Sequence, residues 1–187
     1  MKLTAPQIPE NTVIYGRTML LEDALWLNWT LAGFTCRFRG KSLRARVTII
    51  SNQMMGPMVP PGGAPIEYPC IGVKEEAAED FLLRKELNED GAWVDLFDGE
   101  EGEHTLRIVK LSENSRGKCG FYEIETDGEF LPVEAKKTLT VEMLGDSITC
   151  GYGNESDKPG FRTGEENGWL TPEELREHFR QRAAEGK

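Results

Sequence analysis

Two residue types that build many active sites are scarce in this sequence. It contains two histidines, His104 and His178, and four cysteines without a C-x-x-C pair. A structural zinc site draws on closely spaced cysteine and histidine ligands, so the sequence predicts no metal, and we expect no cofactor. We interpret the cysteines as reduced, mostly buried thiols, with a disulfide between two of them as the alternative. They are Cys36, Cys70, Cys119 and Cys150.

Long apolar segments and an excess of positive charge are also missing. A membrane-spanning helix needs about 18 consecutive apolar residues, and no window of the chain approaches that length, so we expect no membrane partner. With 22 basic and 32 acidic residues, the net charge is −10, which argues against nucleic acid as a partner. Residues 1–18 contain no apolar signal-peptide core, which predicts a cytoplasmic location and leaves secretion open.

What the sequence does contain is a series of short strands. In FTCRFRG, residues 34–40, apolar and polar side chains alternate, and SLRARVTII at 42–50 repeats the pattern. A period of two is typical of an antiparallel strand with one face buried and the other in water. The pattern continues less regularly at 81–87, 92–98, 104–111 and 121–126, with turn signals at 88–91, 98–99, 114–117 and 127–128.

These strands predict a mainly β chain whose residues 1–137 form a jelly-roll β-sandwich. Residues 51–69 are rich in proline and glycine and are predicted to be a loop between strands.

The pattern changes near residue 137. Residues 138–145 form an apolar strand, a glycine-rich turn follows, and Thr171 and Pro172 mark a helix as its N-cap and first helical residue. A strand, a turn and a helix are how an α/β domain begins, so we predict that 138–187 is the truncated start of such a domain. Without its usual sheet neighbours, the strand 138–145 would pair with the jelly roll or with another copy of the chain, or stay exposed. We therefore predict either self-association through this strand or poor order beyond about residue 155.

The turn after this strand carries a serine within LGDSITCGYGN, residues 144–154. Ser147 follows the carboxyl end of the strand, which is where open α/β sheets bind their ligands. Free backbone N–H groups at the start of the following helix would stabilise developing negative charge. A serine hydroxyl also needs a base to become a nucleophile. The position therefore favours nucleophilic catalysis, provided that a base is present.

Four motifs that follow one another along the chain resemble family two of the carbohydrate esterases. They are YGRT (15–18), W-x-x-A-G-F-x-x-R-F-R-G-x-x-L (29–43), GEHTLRIVKLSE (102–113) and VEMLGDSITCGYGN (141–154). Within the last motif, GDSIT resembles the first sequence block of SGNH, or GDSL-type, hydrolases. The resemblance covers most of residues 15–169. It implies a jelly roll joined to an SGNH hydrolase domain that deacetylates plant polysaccharides such as xylan and glucomannan.

The resemblance also assigns roles to single residues. It makes Ser147 the nucleophile and the Ser147 backbone N–H an oxyanion-hole donor, and it gives Asp146 the task of stabilising the turn. In that superfamily a glycine, an asparagine and a histidine base in an Asp-x-x-His stretch come from later blocks. The 40 residues after Ser147 contain none of these blocks. His104 falls on a predicted strand and His178 on an exposed helix, so we expect neither to be the base.

Two functions follow from these observations. The first is a fragment of a serine esterase that deacetylates an acetylated polysaccharide or oligosaccharide, itself poorly active because a triad member is missing. The second is a non-catalytic β-sandwich that binds carbohydrate or another partner and keeps a vestigial hydrolase tail. Four tryptophans are candidates for stacking on sugar rings: Trp26, Trp29, Trp93 and Trp169. Of these, we interpret Trp29 and Trp93 as core residues, because they lie in strand-like patterns.

Overall fold

A computed structural model describes residues 1–53 and 66–133 of the chain. These residues all belong to one compact unit, Met1–Ala135. The predicted start of a hydrolase domain, 138–187, lies outside the described residues together with Ser147 and Asp146, so the roles assigned to it stay predictions.

Strands make up most of the described residues. In chain order they are β1 (Lys2–Thr4), β2 (Val13–Tyr15), β3 (Thr18–Leu21), β4 (Ala24–Leu27), β5 (Gly33–Ile50), β6 (Asn52–Gln53), β7 (Ile66–Glu67), β8 (Cys70–Glu75), β9 (Leu83–Glu86), β10 (Trp93–Lys110), β11 (Lys118–Thr126) and β12 (Glu129–Leu131). Two short helices accompany them: α1 (Ile8–Asn11) and a 3-10 turn at Asn114–Arg116. The described residues contain no helix with the length and apolarity needed to cross a membrane.

Ten of these strands form one antiparallel sheet in the order β3-β4-β11-β5-β10-β8-β9, with β1 on β11 and with β2 and β12 on β5. The long strand β5 pairs with β2 and β12 near its start and with β11 near its end, so one strand belongs to both halves of a curled sheet. The apolar side chains fill the space that the sheet encloses. The mainly β, jelly-roll type of fold that the alternation predicts is therefore confirmed.

The segments 34–40 and 42–50 are one continuous strand of 18 residues instead of two. Both keep the predicted alternation, with Phe34, Cys36 and Phe38 buried in the first half and Leu43, Ala45 and Val47 in the second. The buried positions change from even to odd numbers near Gly40, whose φ of +156° suits glycine. A residue with a Cβ there would press on the Asp127 side chain at 2.5 Å.

The facing strand β10 has two bulges beside this change. Between Asp95 and Phe97 it uses two residue steps where β5 uses one, which matches the change of face, and between Asp98 and Gly102 it uses four steps where β5 uses two. The turn predicted at 98–99 is therefore wrong, because these residues continue a strand. The other three turn signals do fall between strands or in the 3-10 turn. The predicted loop 51–69 is wrong at its ends, where β6 and β7 pair with each other, and 54–65 lie outside the described residues.

Three cysteines lie in the described part of the chain, and all three are free thiols. Cys36 and Cys119 are fully buried, and burial raises the pKa of each thiol to about 12. Cys70 is half-buried, and burial is also the main cause of its raised pKa. The three thiols are reduced and mostly buried, as predicted, and Cys150 lies outside the described residues.

Candidate functional site

His104, one of the two histidines considered as a base, is a packed residue of β10. Its ring lies 4.4 Å from the ring of Phe97 and 5.4 Å from that of Phe38, measured between centroids. Its Nε2 is 3.0 Å from the Glu100 carbonyl oxygen in the bulge. The predicted place on a jelly-roll strand is confirmed. His178 lies outside the described residues.

The described residues do form one apolar groove, which we call the hairpin groove. It encloses about 350 Å³, within the range of small-molecule sites. The strands β3 and β4, the turn that follows β4 and the end of β5 supply its walls. Its lining includes the apolar side chains of Met19, Leu21, Trp26, Trp29 and Ile50 and the amide of Asn28, and Arg17, Thr18, Glu22 and Lys118 also line it.

A tight hairpin builds one wall of the groove. Leu21 pairs with Ala24, so Glu22 and Asp23 are the two central residues of the turn, and both have positive φ, +51° and +62°. Two left-handed residues in a two-residue loop are the geometry that matches the twist of paired strands. The strand β3 lies at one end of the sheet order, and its residues Met19 and Leu21 are exposed.

Trp26 lies across the sheet at the base of this hairpin. It stands opposite Met19 on β3 and Gly120 on β11. A Cβ on Gly120 would come within 3.1 Å of the Trp26 ring and 2.9 Å of Thr48, so only glycine leaves this space for the indole. The indole Nε1 donates a hydrogen bond of 3.2 Å to the Leu21 carbonyl oxygen. The ring is therefore held in place by the hairpin that it supports.

Trp29 lies on the turn between β4 and β5, and 49% of its surface is exposed. The turn is anchored at three points, because the Leu31 N–H donates to the Lys110 carbonyl oxygen at 2.7 Å, the Lys110 N–H to Ala32 at 2.9 Å, and the Thr30 hydroxyl to Ser112 at 3.2 Å. The interpretation of Trp29 as a core residue is wrong, because the residue follows the strand instead of lying in it. Its indole is half exposed on a turn that these hydrogen bonds hold in place.

The Lys110 side chain reinforces this anchor. The residue is fully buried, and its ammonium donates to the carbonyl oxygens of Ser112 and Glu113 at 2.6 and 2.8 Å. Burial lowers the pKa of Lys110. The two carbonyl oxygens accept the hydrogen bonds that water would otherwise accept from its ammonium group. The lysine thereby fixes the segment 110–113 against which the Trp29 turn is bound.

Asn28 is the polar residue at the inner end of the groove. Its Oδ1 is buried and accepts no hydrogen bond from the described residues. A buried acceptor without a donor costs about 1–3 kcal/mol, so such atoms are rare away from binding sites and bound water. The rim of the groove carries charges of both signs, Arg17 and Lys118 against Glu22.

Trp93 is a second exposed tryptophan, on a different part of the sheet. It begins β10 opposite Arg46, and 42% of its surface is exposed. The Arg44 guanidinium lies 4.4 Å from its ring centroid, and it also binds the Glu125 carboxylate at 2.7 Å. The interpretation of Trp93 as core is therefore wrong as well. It does not line the hairpin groove, and Trp169 lies outside the described residues.

Within residues 1–53 and 66–133, no group of three or more histidine, cysteine or acidic side chains is arranged to hold a metal ion. The hairpin groove brings together two indoles and the buried, unsatisfied amide oxygen of Asn28.

Solved structures with a similar fold include carbohydrate esterases of family two. One from Cellvibrio japonicus has a TM-score of 0.64 at 21% identity, over 91% of this chain and 45% of that one. Another, from Clostridium thermocellum in complex with cellohexaose, has a TM-score of 0.64 at 21% identity, over 90% of this chain and 48% of that one. A third, from Corynascus and solved with a carbohydrate-binding domain, has a TM-score of 0.60 at 20% identity over 83% of this chain and 41% of that one. At these identities the likeness shows the fold.

A curated relative is also similar in sequence. It is the cellulase/esterase CelE of Acetivibrio thermocellus, which is 35% identical over 74 residues, or 38% of this chain and 9% of CelE. No protein-family model matches the chain. The chain thus spans less than half of each of the three esterase structures and about a tenth of CelE. Two of the motifs noted in the sequence meet at the hairpin groove, YGRT through Arg17 and Thr18, and W-x-x-A-G-F through Trp29.

Proposed function

We propose that residues 1–187 are part of a serine esterase that removes acetyl groups from a polysaccharide or oligosaccharide, with Ser147 as its nucleophile. The observation that carries this proposal is the order of four motifs, ending in GDSIT, on a chain whose β-sandwich has the fold of family two carbohydrate esterases. The identity with CelE over 74 residues supports it.

The chemistry proposed for Ser147 is acyl transfer. Its Oγ attacks the acetyl carbonyl carbon and its proton passes to a base, while the Ser147 backbone N–H donates to the oxyanion. The sugar oxygen then leaves with a proton, and water releases acetate from the acetyl-serine. Asp146 holds the turn. Neither His104 nor His178 occurs in an Asp-x-x-His stretch, so residues 1–187 alone are expected to release acetate orders of magnitude more slowly than an enzyme with a complete triad.

The test is acetate release from acetylated xylo-oligosaccharide by the gene product that contains residues 1–187. Release above the uncatalysed rate that falls by roughly a thousandfold or more in Ser147→Ala supports the proposal, since a triad nucleophile contributes on that order. The matched control is Ser51→Ala, an exposed serine outside the strands that should leave the rate unchanged. Equal rates for the parent and Ser147→Ala would contradict the assignment of the nucleophile.

The second candidate is a non-catalytic module that binds carbohydrate. Trp29 is exposed on an anchored turn, and an apolar groove lies beside it. These features favour carbohydrate binding, because the apolar faces of sugars commonly stack on aromatic rings. Glycan binding by residues 1–187 that survives Ser147→Ala, in a gene product that releases no acetate, would select the binding module over the esterase.

A further inference from the structure

We infer that the hairpin groove is a binding site for an acetylated sugar segment, distinct in sequence from the Ser147 turn. A sugar ring lies on Trp29, an acetyl group packs among Met19, Leu21 and Ile50, and a hydroxyl donates to Asn28. The inference rests on the proposed function for its substrate class, an acetylated polysaccharide. It adds a place where the β-sandwich holds that polymer without cleaving it.

The first step is the geometry of Trp29. A ring that binds sugar must expose a face in the unbound protein and lose little freedom on binding. The Trp29 side chain is half exposed, and its turn is fixed to the 110–112 segment by three hydrogen bonds. Binding on such a preorganised platform costs little ordering entropy.

The second step is the chemistry of the walls. Met19, Leu21 and Ile50 are all about half exposed, at 57%, 48% and 51%, and they line the same groove. Large apolar side chains clustered on the surface mark a binding site more often than isolated ones do. A bare sugar ring presents hydroxyls around its edge and fits such walls poorly. An acetyl ester replaces the proton of one of those hydroxyls with an acetyl group, whose methyl these side chains can remove from water.

The third step is the unsatisfied amide. The Asn28 side chain lines the groove, and its buried Oδ1 has no donor among the described residues. A sugar hydroxyl in the groove is a donor of the kind that this acceptor lacks. A purely apolar ligand, such as a lipid chain, would leave this acceptor unpaired and the cost unrelieved.

The fourth step is charge. Arg17 and Lys118 stand at the rim with Glu22, so the rim has no strong field of one sign. An ionic ligand gains little from such a rim, whereas a neutral ester of a sugar is compatible with it. The volume of about 350 Å³ suits a short segment of such a polymer.

The test uses residues 1–187 carrying Ser147→Ala, so that no ester is cleaved during titration. This protein is titrated with acetylated xylo-oligosaccharides and with the same oligosaccharides after chemical deacetylation, by calorimetry. We expect saturable binding of the acetylated ligand and weaker binding of the deacetylated one. Trp29→Ala should weaken binding by roughly tenfold or more, as expected for a central aromatic contact. The matched control is Trp93→Ala, a tryptophan of similar exposure outside the groove, which should bind like the parent.

Two further variants separate recognition from folding. Asn28→Ala removes an unsatisfied acceptor, so it should weaken binding without lowering the thermal midpoint. Met19→Gln should reduce the preference for the acetylated ligand and leave binding of the deacetylated one nearly unchanged. A structural role for either residue would not produce these separate effects.

Several results would overturn the inference. Equal affinities of Trp29→Ala and Trp93→Ala would place binding elsewhere, and absence of saturable binding would remove the site. A dimer that Trp29→Ala dissociates, with no effect of oligosaccharide, would show that the groove receives a second copy of the chain. Each of these leaves the esterase proposal standing if acetate release still depends on Ser147, so the two can fail separately.

Discussion

Asp90 shows how one carboxylate ties a turn to the long strand β5. Its Oδ1 accepts the Ile49 N–H at 3.0 Å and the Thr48 hydroxyl at 2.7 Å. These hydrogen bonds, that of the Ile49 N–H first, lower the pKa of the Asp90 carboxyl below its ordinary value, because they favour the charged form. The turn 88–91 was predicted from its Asn, Asp and Gly residues, but the hydrogen bonds of Asp90 connect residues 41 and 42 positions apart in the chain.

This pKa predicts a pH dependence of stability. The folded-state pKa lies below that of the unfolded chain, so the stabilisation is complete above the unfolded value of about 4 and is lost as pH falls through the folded-state pKa. Asp90→Asn should therefore lower the urea midpoint near neutral pH, and the difference from the parent should shrink to nothing in acid. Glu101→Gln, an exposed carboxylate in the β10 bulge, is the control. A difference between Asp90→Asn and the parent that stays constant from neutral pH into acid would contradict the prediction.

For single residues, the sequence predicts which side chains are buried within a strand. It does not predict the burial of residues at or beyond the ends of a strand. Phe34, Cys36 and Phe38 are buried as their alternation predicts. Trp29 and Trp93 were interpreted as core from similar patterns, yet one follows a strand and the other begins one, and both are exposed. Alternation indicates which side of a strand is apolar. Whether the side chain at the end of a strand is buried depends on how far the neighbouring strand extends beside it.

Among the elements, β5 and β10 show that local sequence patterns do not predict where a strand continues. The alternation on each side of Gly40 was read correctly, and the continuity of β5 across it was not. Glycine beside a polar residue is a turn signal when the chain is read locally, as at 98–99. In the structure these residues form a bulge, because the facing strand continues and offers partners on both sides. A pairing between distant strands decides this outcome, and a single sequence does not reveal it.

The contact between the same two strands gives a prediction at Gly33. A Cβ on Gly33 would collide with the Ile108 carbonyl oxygen of β10, where the neighbouring backbone cannot move independently. Gly33→Ala should therefore destabilise the fold by about 1–3 kcal/mol, as overpacking does. Gly102→Ala, on the same pair of strands, meets nothing closer than the His104 ring at 3.6 Å and should change stability by less than about 0.5 kcal/mol. Urea unfolding of both variants measures this, and equal midpoints would contradict the steric argument.

At the scale of the whole molecule, the fold of the β-sandwich is predictable from the sequence, whereas the hairpin groove is not. Among residues 1–53 and 66–133, the buried apolar cluster runs from Leu3 to Ile124, and all of it lies in the compact unit Met1–Ala135. Its fold follows from alternation and turns within that range. The hairpin groove was not predicted, because it depends on the pairing of β4 with β11 and on the glycine at 120, which leaves room for Trp26.

The last prediction concerns what holds two copies together. Self-association through 138–145 stays a prediction from the sequence, and it competes with the exposed apolar edge strand β3. Because the described residues form one compact unit around a buried apolar cluster, a protein of residues 1–133 should unfold cooperatively by itself. We expect it to be monomeric, and the full 187 residues to form a larger species in light scattering after size exclusion. If residues 1–133 also dimerise and Leu20→Lys on β3 restores the monomer, the edge strand is responsible, since a charge there opposes strand pairing. If both proteins are monomeric, association through 138–145 is wrong.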